Sequence, residues 1–187
     1  MVNSLVERFK LPLNKKAKDL SGGNRVKLSL ISALAHSPKL LLLDEPTSGL
    51  DPIIRKEVLD TLFEILEDGE RAILYSTHIL SDISRLADEL AFLVNGQVLL
   101  RQEKEELTEK WRRISFRLRR NDVDFNAVLS HNQEGEDHQV ISTNYEATLQ
   151  QLREIGAEDL HDTRLSIDEI AVHVMKEELI NNGGSDV

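Results

Sequence analysis

The sequence contains no cysteine, which excludes disulfides and thiolate metal sites and is compatible with a cytoplasmic protein. Aromatic residues make up only 4% of it, so any core has to be built from Leu, Ile, Val and Ala. No apolar run approaches the ~18 residues needed to span a bilayer. The longest candidate, Leu40 to Leu43, is of strand length and ends in two acids. Residues 1–18 carry Glu7, Arg8, Lys10, Lys15, Lys16 and Lys18 around no apolar segment, so no signal peptide is expected. A basic excess is also missing. The net charge is −10, with 15 basic and 18 acidic side chains over residues 1–110 and 8 and 15 over 111–187. Such a balance disfavours nonspecific binding to nucleic acid. The one basic cluster, Arg112, Arg113, Arg117, Arg119 and Arg120, reads as a solvated strand face and linker.

What remains is 40% hydrophobic and 30% charged, the composition of a globular chain, and its periodicity switches repeatedly. Leu5, Val6 and Phe9 have helical spacing over 3–10. Ser21 is placed to cap a helix over 23–36 whose Val26, Leu30, Ile31 and Leu34 share a face, with Pro38 beyond its end. Residues 39–43 form an unbroken apolar run, expected of a strand buried on both faces of a parallel sheet. A helix is expected over 53–67, a strand over 71–76 and a helix over 79–87. Asn95-Gly96 separates two strand patterns as a hairpin turn. A charged helix over 103–110 leads away from them.

From Ile114 the pattern becomes short strands (114–119, 138–143, 161–165) and helices (146–155, 167–179), with no clear element around 122–130. Residues 181–187 read as a disordered tail. This alternation implies an α/β domain over 1–109 followed by a small α+β domain over 110–180.

Three places carry chemistry. Ser21-Gly22-Gly23 opening a helix presents free N–H groups and a positive helix end, which suits an anion, although a plain capped turn has the same residues. Asp44-Glu45 follow four leucines at the C-terminal end of a strand, the edge where open α/β sheets bind ligands. There one carboxylate can hold Mg²⁺ while its neighbour acts as general base. His78 ends the second strand and falls on the same edge if the strands are parallel, though a lone His at a strand end is often only a surface residue. His36, His131, His138, His161 and His173 show no partner spacing and read as structural or surface.

The ordered set Leu20-Ser21-Gly22-Gly23-Asn24, Leu40 to Pro46, Ser48-Gly49-Leu50-Asp51 and Ser76-Thr77-His78 resembles the ATP-binding-cassette (ABC) ATPases. The first piece is similar to the signature motif, with Asn24 where Gln is common. Leu40 to Asp44 resembles Walker B, Ser48 to Asp51 the D-loop, and the resemblance runs on through Asp88 to Gly96. It implies a P-loop NTPase-type α/β fold and MgATP as the ligand. It also implies Asp44 as metal ligand and Glu45 and His78 as catalytic residues. Ser21, Gly22, Gly23, Asn24 and Asp51 would contact nucleotide across a head-to-tail dimer with a second ATPase protomer. The tail after Trp111 is similar to the extra domain of bacterial exporter ATPases, where Leu165 to Ile170 opens the last helix. The implied role is the ATP-hydrolysing subunit of an exporter, at the inner face of the membrane beside a separate permease.

One expected element is missing. The sequence contains no G-x-x-x-x-G-K-[ST], and only 19 residues precede Leu20, too few for the family's first strand, P-loop and Q-loop. A truncated form of a longer chain is therefore expected, inactive alone and with the Leu40–Leu43 strand incompletely covered. A non-catalytic half-domain that pairs with a complete ATPase is the alternative.

Overall fold

The computed structural model describes residues 2–119 and 123–183, and Arg120 and residues 184–187 lie outside them. Packing divides the chain into two units, Met1–Leu86 and Ala87–Val187.

In the first unit, α1 (Val2–Arg8) and a 3₁₀ turn (Ala17–Asp19) precede α2 (Gly22–Leu34). Strand β1 (Leu40–Asp44), α3 (Pro52–Leu66), β2 (Ala72–Ser76) and α4 (Leu80–Leu86) follow. The two strands are parallel and in register, Leu40 beside Ala72 and Asp44 beside Ser76. Helix α3 starts where Asp51 accepts the N–H groups of Ile53 and Ile54, both at 3.0 Å, and Pro52 stands in its first turn with no N–H to lose. Leu30, Ile31 and Leu34 of α2 and Val58, Leu62 and Ile65 of α3 pack on Leu41, with Ile73 and Tyr75 of β2 against the same core. Lys27 completes the buried stripe of α2 at i, i+3, i+4 and i+7. Its apolar stem lies in the core while Nζ reaches Glu57 Oε2 at 2.5 Å.

The leucine run alone suggests burial on both faces of β1, and the structure corrects this to the incomplete cover expected of a strand without its first neighbours. Only alternate residues point inward: Leu41 is buried, whereas Leu40, Leu42 and Leu74 are 57%, 68% and 66% exposed. The cause is the sheet itself. Two strands carry helices α2 and α3 on one face, and among the described residues of this unit the other face stays exposed.

The second unit opens with β3 (Glu89–Val94) and β4 (Gln97–Glu103), joined through Asn95 and Gly96 at φ +49° and +80°, the left-handed pair that a type I′ turn demands. Helix α5 (Lys104–Lys110) leads to β5 (Arg112–Arg117), β6 (Val128–Glu134), β7 (Asp137–Ser142), α6 (Tyr145–Glu154), β8 (Glu158–Arg164) and α7 (Ile167–Gly183). The last four strands form one antiparallel sheet in the order β6-β7-β5-β8. Ile114, Phe116, Leu118, Val140 and Leu152 make its core. Helix α7 continues through Gly183, past the start of the tail expected to be disordered at residue 181.

The described arginines of the basic cluster face carboxylates. Arg112 pairs with Asp162 at 3.0 Å, Arg113 with Glu169 at 2.7 Å, Arg117 with Asp137 and Asp159 at 3.5 and 3.6 Å, and Arg119 with Glu136 at 3.9 Å. His131 and His138 do have partners: His131 Nε2 lies 2.9 Å from His138 Nδ1, and the buried His138 ring stacks on Phe116. Among the described residues no helix is long and apolar enough to cross a membrane.

Candidate functional site

The parallel pairing of β1 and β2 brings three of the candidate residues together. Asp44 and Ser76 are register partners, and the Ser76 hydroxyl donates to Asp44 Oδ1 at 2.5 Å. One residue further on, the Glu45 N–H donates to the Ser76 carbonyl at 3.0 Å, while Glu45 itself takes φ +46°. A left-handed backbone at a glutamate costs of order 1–3 kcal/mol and persists only when the surroundings impose it. Here the conformation turns the carboxylate towards the end of β2. Glu45 Oε1 accepts the His78 backbone N–H at 2.9 Å and lies 2.8 Å from His78 Nδ1, and Oε2 accepts from Thr77 Oγ1 at 3.4 Å. A carboxylate only accepts, so this contact puts the ring proton on Nδ1 and leaves Nε2 facing outward on a ring that is 71% exposed.

The residues after Glu45 turn sharply. The N–H of Ser48 donates to the Glu45 carbonyl and that of Leu50 to the Thr47 carbonyl, delivering Asp51 to the head of α3. Asp51 therefore spends its Oδ1 on the helix cap.

Ser21 caps α2 as expected, accepting the Asn24 N–H at 3.4 Å. Gly22 has open space around it. At Gly23 a Cβ would lie 2.6 Å from Ile54 Cδ1, so the start of α2 passes close to the start of α3. No hydrogen bond or ion pair among the described residues joins Ser21–Asn24 to Asp44, Glu45 or His78. The candidates thus form two sets, an N–H-rich helix start and an acid–imidazole cluster at the strand ends.

For metal, the donor set is hard but small. Asp44 and Ser76 offer a carboxylate and a hydroxyl, and among the described residues no group of three or more His, Cys, Asp or Glu could hold an ion. That suits Mg²⁺, which keeps waters and is often held by one or two carboxylates plus phosphate oxygens. It does not suit a closed site built by protein alone.

Sequence reading missed a second, buried layer. Thr47, Arg55 and Tyr75 converge on the buried Asp82, and burial pushes the Tyr75 phenol up. These positions are up to 35 residues apart with no pattern linking them.

Residues 14–81, a span holding every candidate from Ser21 to His78, match the protein family described as "AAA domain, putative AbiEii toxin, Type IV TA system". The ABC transporter ATP-binding protein YtrB of Bacillus subtilis is 33% identical over 127 residues, 68% of this chain and 42% of that protein. The Nod factor export ATP-binding protein I of Rhizobium leguminosarum bv. viciae is 38% identical over 112 residues, 59% of this chain and 36% of that protein. Its homologues are ABC transporter ATP-binding proteins. The fold agrees: the solved structure of an ATP-binding subunit of an ABC transporter superposes with TM-score 0.52 and 29% identity, over 58% of this chain and 45% of that one. The chain spans less than half the length of each of these ABC relatives.

Proposed function

We propose that this chain supplies the hydrolytic wall of an ATP site in an exporter-type ABC ATPase. The observation that supports this reading best is the meeting of Glu45 and His78 beside Asp44 at the C-terminal ends of two parallel strands. Glu45 is the general base for the attacking water. His78 Nδ1–H holds that carboxylate in place. Asp44, braced by Ser76, would hold Mg²⁺, and the chemistry supplied there would be neutralisation of charge on the phosphate oxygens.

Ser21, Gly22, Gly23 and Asn24 serve a different nucleotide, the one bound by a second protomer in a head-to-tail dimer, with Asp51 contributing from the intervening loop. That assignment accounts for the two sets sharing no hydrogen bond or ion pair among the described residues. We keep the homologous domain at residues 1–109, followed by an accessory domain at 110–180. The export direction rests on the relative named for Nod factor export and on the similarity of the tail. A membrane permease at the cytoplasmic face is the coupled partner.

The sequence contains no P-loop motif, so the β- and γ-phosphates need a cradle from elsewhere. The same absence supports the alternative, a non-catalytic half-domain that lends its α2 start to a complete ATPase. Steady-state Mg-ATP hydrolysis by the chain with and without a P-loop-bearing ABC segment decides this. No turnover alone and turnover together supports the proposal; turnover by the lone chain overturns it. Stimulation of a complete ATPase that survives Glu45→Gln selects the alternative.

A further inference from the structure

Asp82 is 1% exposed, yet four donor contacts converge on its carboxylate. Thr47 Oγ1 donates to Oδ2 at 2.6 Å and the Tyr75 hydroxyl to the same oxygen at 3.0 Å. Arg55 Nε donates to Oδ1 at 2.7 Å, and a second guanidinium nitrogen of Arg55 reaches the same Oδ1 while also donating to Ser81 Oγ at 2.7 Å. A buried carboxylate is costly unless fully hydrogen-bonded, and this one is satisfied on both oxygens. A well-packed apolar group could fill the same volume at similar stability, so the retained charge calls for a reason beyond folding.

The donors' positions supply that reason. Thr47 is two residues after Glu45, on the turn that leads to Asp51. Tyr75 immediately precedes Ser76, the partner of Asp44, and lies three residues before His78. Arg55 lies one helical turn after Asp51. Asp82 itself is four residues after His78, at the start of α4. One carboxylate therefore ties together the chain segments that carry Asp44 and Glu45, Ser76 and His78, and Asp51.

We infer that Asp82 is a positioning residue, whose buried carboxylate clamps Thr47, Tyr75 and Arg55 and so fixes Glu45 Oε1 against His78 Nδ1. Without the clamp, the turn after Glu45 and the segment after Ser76 move independently, and the 2.8 Å contact is no longer imposed. The inference rests on the reading of Glu45 and His78 as the hydrolytic pair, but its structural content can be measured without ATP.

The experiment is long-range ¹H–¹⁵N correlation NMR of the histidine rings in the full 187-residue chain. Wild type, Asp82→Asn, Tyr75→Phe and Thr47→Val are compared. Wild type shows His78 with its proton on Nδ1. Asp82→Asn moves His78 to the tautomer mixture of an unrestrained imidazole, and each neutral variant moves it part of the way, while His131 and His138 in the other unit keep their signals. A clamp that served folding alone would lower the melting temperature and leave the His78 tautomer as it is; that result overturns the inference. Should Asp82→Asn not fold, Tyr75→Phe and Thr47→Val decide, and an unchanged His78 tautomer in both overturns it. In an assembly that supplies a P-loop, Asp82→Asn lowers kcat by about 10²-fold with KM for ATP little changed. A raised KM at unchanged kcat counts against the inference. Absence of hydrolysis in the wild-type assembly would remove the catalytic reading while the tautomer result still stood.

Discussion

Oε1 of Glu45 receives two contacts from one residue, the backbone N–H of His78 at 2.9 Å and its ring Nδ1 at 2.8 Å. Two contacts to a single acceptor fix the imidazole more firmly than either would, because the ring cannot turn about χ1 without losing one of them. The imidazole is oriented by its own backbone, and the strand pairing of Asp44 with Ser76 carries that geometry to the Asp44 carboxylate.

The uncovered face of β1 and β2 should govern the solution behaviour of the chain. Leu42 and Leu74 are each about two-thirds exposed and contiguous apolar surface promotes association. Replacing both with Ser is expected to reduce concentration-dependent association in sedimentation velocity, with stability changed by no more than ~0.5 kcal/mol per site. Leu62→Ala, at a fully buried position of the same unit, should cost ~2–5 kcal/mol in denaturant unfolding.

Gly23 should tolerate one methyl group and little more. The added Cβ meets Ile54 Cδ1 at 2.6 Å, the far end of a flexible side chain, and Gly→Ala in a helix gains ~0.5–1 kcal/mol. Gly23→Ala is expected to leave folding stability within ~1 kcal/mol of wild type. Gly23→Val should be clearly destabilising and be rescued in part by Ile54→Ala. A double-mutant cycle by chemical denaturation measures the coupling, expected at ~0.5–3 kcal/mol.

Glu169 gives the second unit an acid-sensitive contact. The Ser166 N–H, the Arg113 guanidinium and the Ser166 hydroxyl hold its carboxyl down to about 2, from an ordinary 4.5. The folded form thus binds its proton more weakly than the unfolded form. Its stabilisation is fully present above pH ~4.5 and is lost as the pH falls from there towards 2. Thermal unfolding across that window should show a steeper loss for wild type than for Glu169→Gln. Parallel slopes would contradict the assignment.

Local chemistry was legible in the sequence; partnership across distance was not. Ser21 and Asn95-Gly96 each announce themselves within four residues, because caps and turns are satisfied locally. Strand β6 escaped notice: Val128 to Glu134 is polar along most of an exposed sheet edge, so no alternation marks it. The bare face of β1 follows from the missing neighbouring strands and not from the leucine run, because four leucines in a row look alike whether one neighbour covers them or two. The Asp82 clamp and the His131–His138 pair depend on side chains brought together by folding, and neither leaves a periodic trace. Asp44, Glu45 and His78 were readable as candidates, but their shared edge depended on the parallel pairing of β1 with β2.

The central claim is that Glu45 activates water at a nucleotide whose phosphates are cradled by a P-loop supplied from elsewhere. Single-turnover hydrolysis of Mg-ATP by such an assembly, wild type against Glu45→Gln, tests it most directly. Glu45→Gln is expected to lower the rate by ~10²–10⁴-fold with ATP affinity retained. A Glu45→Gln assembly that hydrolyses ATP at the wild-type rate would contradict it.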